Sequence, residues 1–136
     1  MRLPLLILAL LALAGCSKGP AVDARPVGTD VGFEAPGFDL PRLDVDGGLA
    51  LSGLRGNVVL VSFFASWCGP CRMELPAMEQ AWKRYRDKDV TFLAVSVDDS
   101  AEDARGFLRS TPISFPVVLD LGGARVGNPW RAQSIP

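Results

Sequence analysis

Apolar positions in the middle of the chain are spaced as in β-strands. Between 38 and 51 they alternate loosely with polar positions on either side of an Asp-Gly-Gly turn at 46–48, which predicts a small β-hairpin. A continuous apolar and β-branched run then covers 58–64 and is interrupted by Ser62. Such a run is typical of a central strand that is buried on both faces.

The pattern becomes helical directly after this strand. Beyond a short loop at 65–70, apolar side chains recur every three or four residues, at Cys71, Leu75, Met78, Trp82 and Tyr85. This stripe predicts a helix whose buried face carries Cys71 against the sheet. Cys68 is expected at the amino-terminal tip of the helix, close to solvent, and Pro70 in its first turn, where a missing N–H costs nothing.

The amino terminus has a third pattern. Arg2 precedes an apolar run at 3–14, which is shorter than the about 20 residues needed to span a bilayer and is typical of a secretory signal. Leu13-Ala14-Gly15-Cys16 resembles the lipobox of bacterial lipoproteins, in which the cysteine is lipidated and becomes the first residue after cleavage. That resemblance implies a signal peptide at 1–15 and a lipid on Cys16; the alternative is an ordinary signal peptide with a chance cysteine. The segment at 16–35 has several Pro and Gly residues, which predicts a flexible tether.

The amino-acid composition excludes several classes of catalytic and metal-binding site. The length of 136 residues suits one domain, and 14 Lys+Arg against 15 Asp+Glu give no electrostatic reason to expect nucleic acid as a partner. The chain contains no His, which excludes Ser-His-Asp and Cys-His catalysis, His-ligated zinc and haem attachment through CxxCH. The chemistry must therefore come from cysteines, carboxylates or surfaces.

The cysteines point to redox chemistry. If lipid occupies Cys16, Cys68 and Cys71 remain as a CxxC pair, which cannot make a four-ligand zinc site, so no metal or other cofactor is expected. At a helix start, unpaired N–H groups and the helix dipole stabilise a thiolate, and such a CxxC thiol can have a pKa well below the free value of about 8.5. We therefore predict that Cys68 is the nucleophile and that Cys71, which is shielded, resolves the mixed disulfide.

The motif Trp67-Cys68-Gly69-Pro70-Cys71 resembles the active site of thioredoxins. The flanking segments at 35–40, 51–56 and 74–76 resemble the membrane-tethered, extracytoplasmic thiol-disulfide oxidoreductases related to ResA and TlpA. The segments at 90–98, 101–110 and 115–120 resemble the extra αβ insertion of those proteins. Over about 33–136, the resemblance implies a thioredoxin-like α/β fold: a central mixed β-sheet flanked by helices, with an amino-terminal β-hairpin and the αβ insertion.

The resemblance also assigns roles near the cysteines. Glu74 would accept the Cys71 proton, in place of the aspartate that thioredoxins bury where this chain has Ser62. The alternative for Glu74 is a solvated side chain that favours the helix dipole. Trp67 would help to form the substrate surface, and its alternative is an ordinary core aromatic.

Two further segments complete the prediction. Asp98, Asp99 and Ser100 are interpreted as a strand end and a helix cap, in preference to a metal-binding carboxylate cluster. The segment at 130–136 resembles the approach to the family's cis-proline, with Pro136 in that place, where it would join Gly69 and Pro70 in the substrate groove. In the superfamily two antiparallel strands and a helix follow that proline, so the domain at 36–136 is expected to be incomplete at its carboxyl terminus.

The sequence therefore predicts a lipid-anchored thiol-disulfide oxidoreductase that reduces protein disulfides outside the cytoplasm, on the periplasmic face in a Gram-negative cell. The resemblance implies a membrane thiol-disulfide electron donor, a part in cytochrome c maturation or redox homeostasis, and a monomer. The Gly69-Pro70 dipeptide favours the reducing direction. The alternatives are a disulfide oxidant or isomerase and a non-catalytic binding module. A peroxidase is disfavoured because Ala65 stands where peroxiredoxins have threonine.

Overall fold

The computed structural model describes residues 25–136. The predicted signal peptide, the predicted lipid site at Cys16 and the first half of the predicted tether lie outside the described residues. Within 25–136, none of the helices has the length and apolar character needed to cross a bilayer.

A small hairpin precedes the main sheet, as the alternating pattern predicted. Strand β1 (Asp39–Pro41) pairs antiparallel with β2 (Gly48–Ala50), and Leu40 lies opposite Leu49. Gly47 in the connecting turn has a φ of 111°, a backbone conformation that residues with a Cβ adopt only at a steric cost. A single 3-10 turn, Leu51–Leu54, leads from the hairpin to the next strand.

The main sheet is built from two βαβ units. Strands β3 (Val58–Phe64), β4 (Val90–Ser96) and β5 (Val117–Leu119) lie in that order and run parallel. Helix α1 (Cys71–Tyr85) connects β3 to β4, and helix α2 (Ala101–Ser110) connects β4 to β5. An antiparallel bridge between Arg42 and Val118 attaches the hairpin to β5, which gives the sheet its mixed character. The chain thus has the α/β architecture expected from the sequence.

The prediction that the strand at 58–64 is central and buried on both faces is wrong for its first half. Within the described residues β3 lies at the edge of the main sheet, and Val58 and Leu60 are exposed. In its second half Ser62 and Phe64 are buried and Phe63 is partly buried. Strand β4 takes the central position instead, because β3 and β5 pair with its two sides and α1 packs against it.

Apolar side chains fill both faces of the sheet. Alternate residues of β4 point to opposite faces, so Phe92 and Ala94 join one core cluster while Leu93 and Val95 join the other. The first cluster lies between the sheet and the helices and includes Phe64, Cys71, Leu75, Met78, Phe107 and Phe115. The buried stripe of α1 therefore packs Cys71 into the core, as its spacing predicted.

Glu79 joins α1 to the segment that leads into β5. Its buried carboxylate accepts hydrogen bonds from the Ser114 N–H and the Ser114 hydroxyl, both at 2.8 Å, and lies 3.3 Å from the Lys83 ammonium. Burial disfavours the charged form of Glu79, but the bonds from Ser114 and the Lys83 charge outweigh it and hold the pKa of Glu79 below its ordinary value of 4.5. The ionised carboxylate therefore stabilises the fold.

Replacing Glu79 by alanine should lower the free energy of unfolding by about 2 kcal/mol at pH 7, because it leaves the Ser114 donors without their charged acceptor. The folded-state pKa is the lower one, so the contribution of the charge is complete above the unfolded value of 4.5 and disappears as the pH falls through the folded value. Urea unfolding of both proteins between pH 3 and pH 7 measures the difference, on the order of 1–3 kcal/mol at its largest.

The matched control is Glu102→Ala, which removes an exposed carboxylate paired with Arg109. It should change stability by less than about 0.5 kcal/mol. A Glu79→Ala effect that persists unchanged at pH 3 would contradict this account of Glu79.

Candidate active site

The two cysteines lie where β3 passes into α1: Cys68 is in the connecting loop, and Cys71 is the first residue of α1. The chain leaves β3 at Phe64 and turns at once, since the Cys68 N–H donates to the Ala65 carbonyl at 3.0 Å. Helix α1 begins three residues later at Cys71, with Pro70 at the capping position. The strand end and the helix start therefore fix the two sulfur atoms.

Cys68 and Cys71 form a disulfide, with their Cα atoms 5.4 Å apart. Cys71 is fully buried, and Cys68 is only 4% exposed. The expectation that Cys68 lies close to solvent is therefore wrong for the disulfide form. The Ile135 carbonyl oxygen lies 3.7 Å from the Cys68 sulfur, and the Ile135 side chain packs on the same core cluster, so this segment covers the sulfur.

The surroundings of the two sulfur atoms differ. The Cys71 N–H, an unpaired donor of the first turn of α1, points at the Cys68 sulfur at 3.3 Å. The Cys71 sulfur, in contrast, lies 4.0 Å from the Phe63 carbonyl oxygen. An N–H group stabilises a thiolate, whereas a carbonyl oxygen does not. After reduction, the geometry therefore favours negative charge on Cys68 over Cys71.

Glu74 lies one turn beyond Cys71 and is half-buried. Its carboxylate accepts a hydrogen bond of 2.8 Å from the hydroxyl of Ser62 on β3. Ser62 itself is buried and precedes Phe63, whose carbonyl faces Cys71. Glu74 is therefore not freely solvated, although it does lie in the first turn of α1, where a carboxylate favours the helix dipole.

The residues predicted to form the substrate surface are exposed. Trp67 is 68% exposed, so the alternative of a core aromatic is wrong for this residue. Gly69 and Pro70 are exposed on the same loop. Pro136 is also exposed, follows a cis peptide bond, and is brought to Cys68 by its neighbour Ile135.

Two buried carboxylates form hydrogen bonds with loops at the carboxyl ends of the parallel strands. Asp98, which follows β4, accepts a hydrogen bond from the Ser66 N–H at 2.8 Å. Asp120, which follows β5, accepts from three consecutive N–H groups, those of Arg125, Val126 and Gly127, at 2.7 to 2.9 Å. Sequence reasoning missed both contacts. The available signal was that each Asp directly follows a buried strand, where the carboxyl ends of parallel strands meet.

Ser100 is the amino-terminal cap of α2 and follows Asp98 and Asp99 in the chain. The Ser100 hydroxyl accepts from the Asp103 N–H at 3.1 Å, which confirms the predicted cap of α2. Within residues 25–136, no three Cys, Asp or Glu side chains are grouped in a way that could hold a metal ion.

Comparison with known sequences gives consistent matches. The model of the AhpC/TSA family matches residues 31–128. Thioredoxin-like protein YneN of Bacillus subtilis (strain 168) is 34% identical over 122 residues, which cover 88% of this chain and 71% of YneN. Thiol-disulfide oxidoreductase ResA of the same organism is 34% identical over 116 residues, which cover 85% of this chain and 64% of ResA. ResA proteins of other Bacillus species are matched over 54% to 56% of their length.

A solved structure from Chlorobium tepidum shares the fold. That protein, provisionally named thiol:disulfide interchange protein DsbE, is 38% identical with a TM-score of 0.64, and the match covers 69% of this chain and 64% of that one.

Proposed function

Since this chain belongs to the AhpC/TSA family and has the thioredoxin-like fold of its oxidoreductase relatives, we propose that it reduces protein disulfides with the Cys68 and Cys71 dithiol. One observation carries the proposal. The two cysteines form a disulfide at a strand-to-helix junction, with the first N–H of α1 directed at the Cys68 sulfur.

The reaction begins with the reduced pair. The Cys68 thiolate attacks one sulfur of the substrate disulfide, a Cys68–substrate bond forms, and the other substrate sulfur leaves and takes up a proton. Cys71 then loses its proton, and its sulfur attacks the Cys68 sulfur. The Cys68–Cys71 disulfide forms as the second substrate thiol leaves. Two electrons have passed from the cysteine pair to the substrate, and the two substrate sulfurs have taken up two protons, one released by Cys71 and one from water.

Charge stabilisation divides the work between the cysteines. The Cys71 N–H favours the Cys68 thiolate, so Cys68 attacks first. Cys71 is buried, and its sulfur faces the Phe63 carbonyl oxygen instead of an N–H donor, so we propose that it keeps its proton until the mixed disulfide has formed. We assign acceptance of that proton to Glu74, which Ser62 holds on the same side of the sheet.

The surroundings of the pair suit an extended polypeptide. Trp67, Gly69 and Pro70 are exposed next to the cysteines in the chain, and the Ile135 carbonyl oxygen lies 3.7 Å from the Cys68 sulfur. We assign substrate binding to this surface. The Ile135 segment covers the Cys68 sulfur, so a substrate would reach that sulfur by displacing this segment or by lying along it.

The wider setting is also a proposal. The lipobox-like sequence ending at Cys16 supports a lipid anchor on the extracytoplasmic side of a membrane, with a membrane dithiol protein that returns two electrons to the Cys68–Cys71 disulfide after each cycle. Disulfides of apocytochromes c before haem attachment are one substrate class that this position would serve.

Serine variants of the two cysteines test the reaction. Cys68→Ser should abolish reduction of a protein disulfide, because the attacking sulfur is gone. Cys71→Ser should accumulate a mixed disulfide between Cys68 and the substrate, visible as a covalent adduct by non-reducing electrophoresis. A Cys68→Ser protein that retains the activity would refute the mechanism. An unsubstituted protein that binds the substrate without reducing it, and binds it equally well after Cys68→Ser, would identify a binding module.

The direction of electron flow is set by the reduction potential of the pair, measured by trapping thiols at defined dithiol ratios. We expect a value near that of thioredoxin, about −270 mV, as for a reductant. A value near about −120 mV would make the protein an oxidant and overturn the proposed direction.

Glu74→Gln tests the proton acceptor, since the amide keeps an oxygen for the Ser62 hydroxyl but is a far weaker base. Release of substrate from the mixed disulfide should slow by about tenfold or more, while formation of the mixed disulfide stays unchanged. Rapid-quench measurement of both steps between pH 5 and pH 9 separates them. Glu102→Gln, on the exposed face of α2, is the control, and equal release rates for all three proteins would remove Glu74 from the mechanism.

The anchor is tested by Cys16→Ser in the whole chain expressed in a bacterium. We expect the unsubstituted protein to fractionate with membranes and to carry a diacylglycerol mass on Cys16, and the variant to carry none. Mature protein without that mass would show that Cys16 is not an anchor.

A further inference from the structure

Asp98 is a buried carboxylate that the proposed reaction does not use. It is 1% exposed, and within residues 25–136 no Lys or Arg forms an ion pair with it. One oxygen accepts the Ser66 N–H at 2.8 Å and the other accepts the Ser96 hydroxyl at 2.9 Å. Burying a carboxylate among neutral donors is costly, so its position suggests a task in the loop it contacts.

Arg72 also contacts this loop, through the carbonyl of Ser66. It follows Cys71 in the first turn of α1, and its guanidinium donates to the Ser66 carbonyl at 3.4 Å. α2 fixes the guanidinium, which also donates to the Ser110 hydroxyl at 3.2 Å and lies 4.7 Å from the centre of the Phe107 ring. Contacts with α2 therefore hold the Arg72 guanidinium in the position from which it donates to Ser66.

Ser66 is held through both of its backbone polar groups, the N–H by Asp98 and the carbonyl by Arg72. It is also the second residue of the turn that the Cys68 N–H closes on Ala65. Fixing the two peptide groups around Ser66 fixes the path of the chain through Trp67 to Cys68. Without these two contacts, the turn at 65–68 would be closed only by the hydrogen bond from the Cys68 N–H to the Ala65 carbonyl, because Trp67 is exposed and does not anchor it.

Resting on the thiol-disulfide chemistry proposed above, we propose that Asp98 and Arg72 are positioning residues that hold Ser66 and thereby aim the Cys68 sulfur for attack on a disulfide. Neither residue touches the reacting atoms. Because attack of a thiolate depends on alignment with the disulfide bond, a small displacement of Cys68 would slow the reaction more than it would destabilise the fold.

The experiment follows reduced whole-chain protein, in detergent, as it reacts with a small aromatic disulfide that releases a coloured thiolate. The rate due to Cys68 is obtained by subtracting that of Cys68→Ser. We expect Asp98→Ala to react about tenfold more slowly, and Asp98→Asn, whose amide oxygen accepts the Ser66 N–H, to stay within about twofold of the unsubstituted protein. Hydrogen exchange of the peptide containing Ser66 should accelerate in Asp98→Ala and stay slow in Asp98→Asn.

Two controls separate positioning from stability. Asp99→Asn changes the exposed neighbouring carboxylate and should leave the rate unchanged. Val95→Ala makes a cavity in the second core cluster, so it lowers the melting temperature without touching Ser66. The proposal is overturned if Val95→Ala slows the reaction as much as Asp98→Ala, if Asp98→Ala reacts at the unsubstituted rate, or if Asp98→Asn is as slow as alanine.

Arg72→Met provides the test if Asp98→Ala does not fold. It keeps an apolar stem against Phe107 and removes the donors to Ser66, and we expect about threefold slower reaction at both low and high salt. A slowing that disappears at high salt would identify simple charge attraction and overturn the proposed role of Arg72. The small disulfide reports on Cys68 whether or not protein disulfides are substrates, so failure of the proposed function would be seen separately.

Discussion

Parallel pairing of β3, β4 and β5 is the constraint on which the site depends. Because parallel strands end at the same edge, the segments that follow them leave the sheet side by side. The cysteine loop follows β3, Asp98 follows β4, and the segment that leads to Ile135 follows β5. Residues as far apart in sequence as Cys68 and Ile135 therefore meet, with the Ile135 carbonyl oxygen 3.7 Å from the Cys68 sulfur.

The same edge must hold several polar groups away from water. Within 25–136, every buried side-chain nitrogen or oxygen has a hydrogen-bond partner. Asp98 accepts the Ser66 N–H and the Ser96 hydroxyl, and Asp120 accepts three N–H groups of the segment that follows β5, so each buried carboxylate also fixes a loop. Stability and site geometry are consequently supplied by the same hydrogen bonds.

Local patterns predicted the elements well, and contacts between distant segments less well. The hairpin follows from loose alternation, the strand at 58–64 from a continuous apolar and β-branched run, and the helix from Cys71 from spacings of three and four residues. Each of these patterns depends on one segment alone. Burial of the first half of β3 was overestimated, because an apolar run does not say which strand obtains two neighbours. The exposure of Cys68 was overestimated for a related reason: its cover comes from Ile135, 67 residues away.

Motif spacing identified the reacting pair, whereas the supporting contacts could not be found from it. The partners of Ser66 lie 32 residues away in Asp98 and across a helix turn in Arg72, and neither has a local signature. The bond between Ser62 and Glu74 was within reach, since both residues had been singled out, but their distance required the structure.

Full burial of Cys71 has a consequence for the order of events in each cycle. A thiolate attacks a disulfide in line with the sulfur–sulfur bond, and the side of Cys71 is closed by the core. Any incoming thiolate, whether it belongs to a product of the reaction or to the protein that recharges the pair, must therefore attack Cys68. In the reaction proposed above, substrate and electron donor would therefore react at the same sulfur in alternate redox states of the pair. Such an alternation is the basis of ping-pong kinetics.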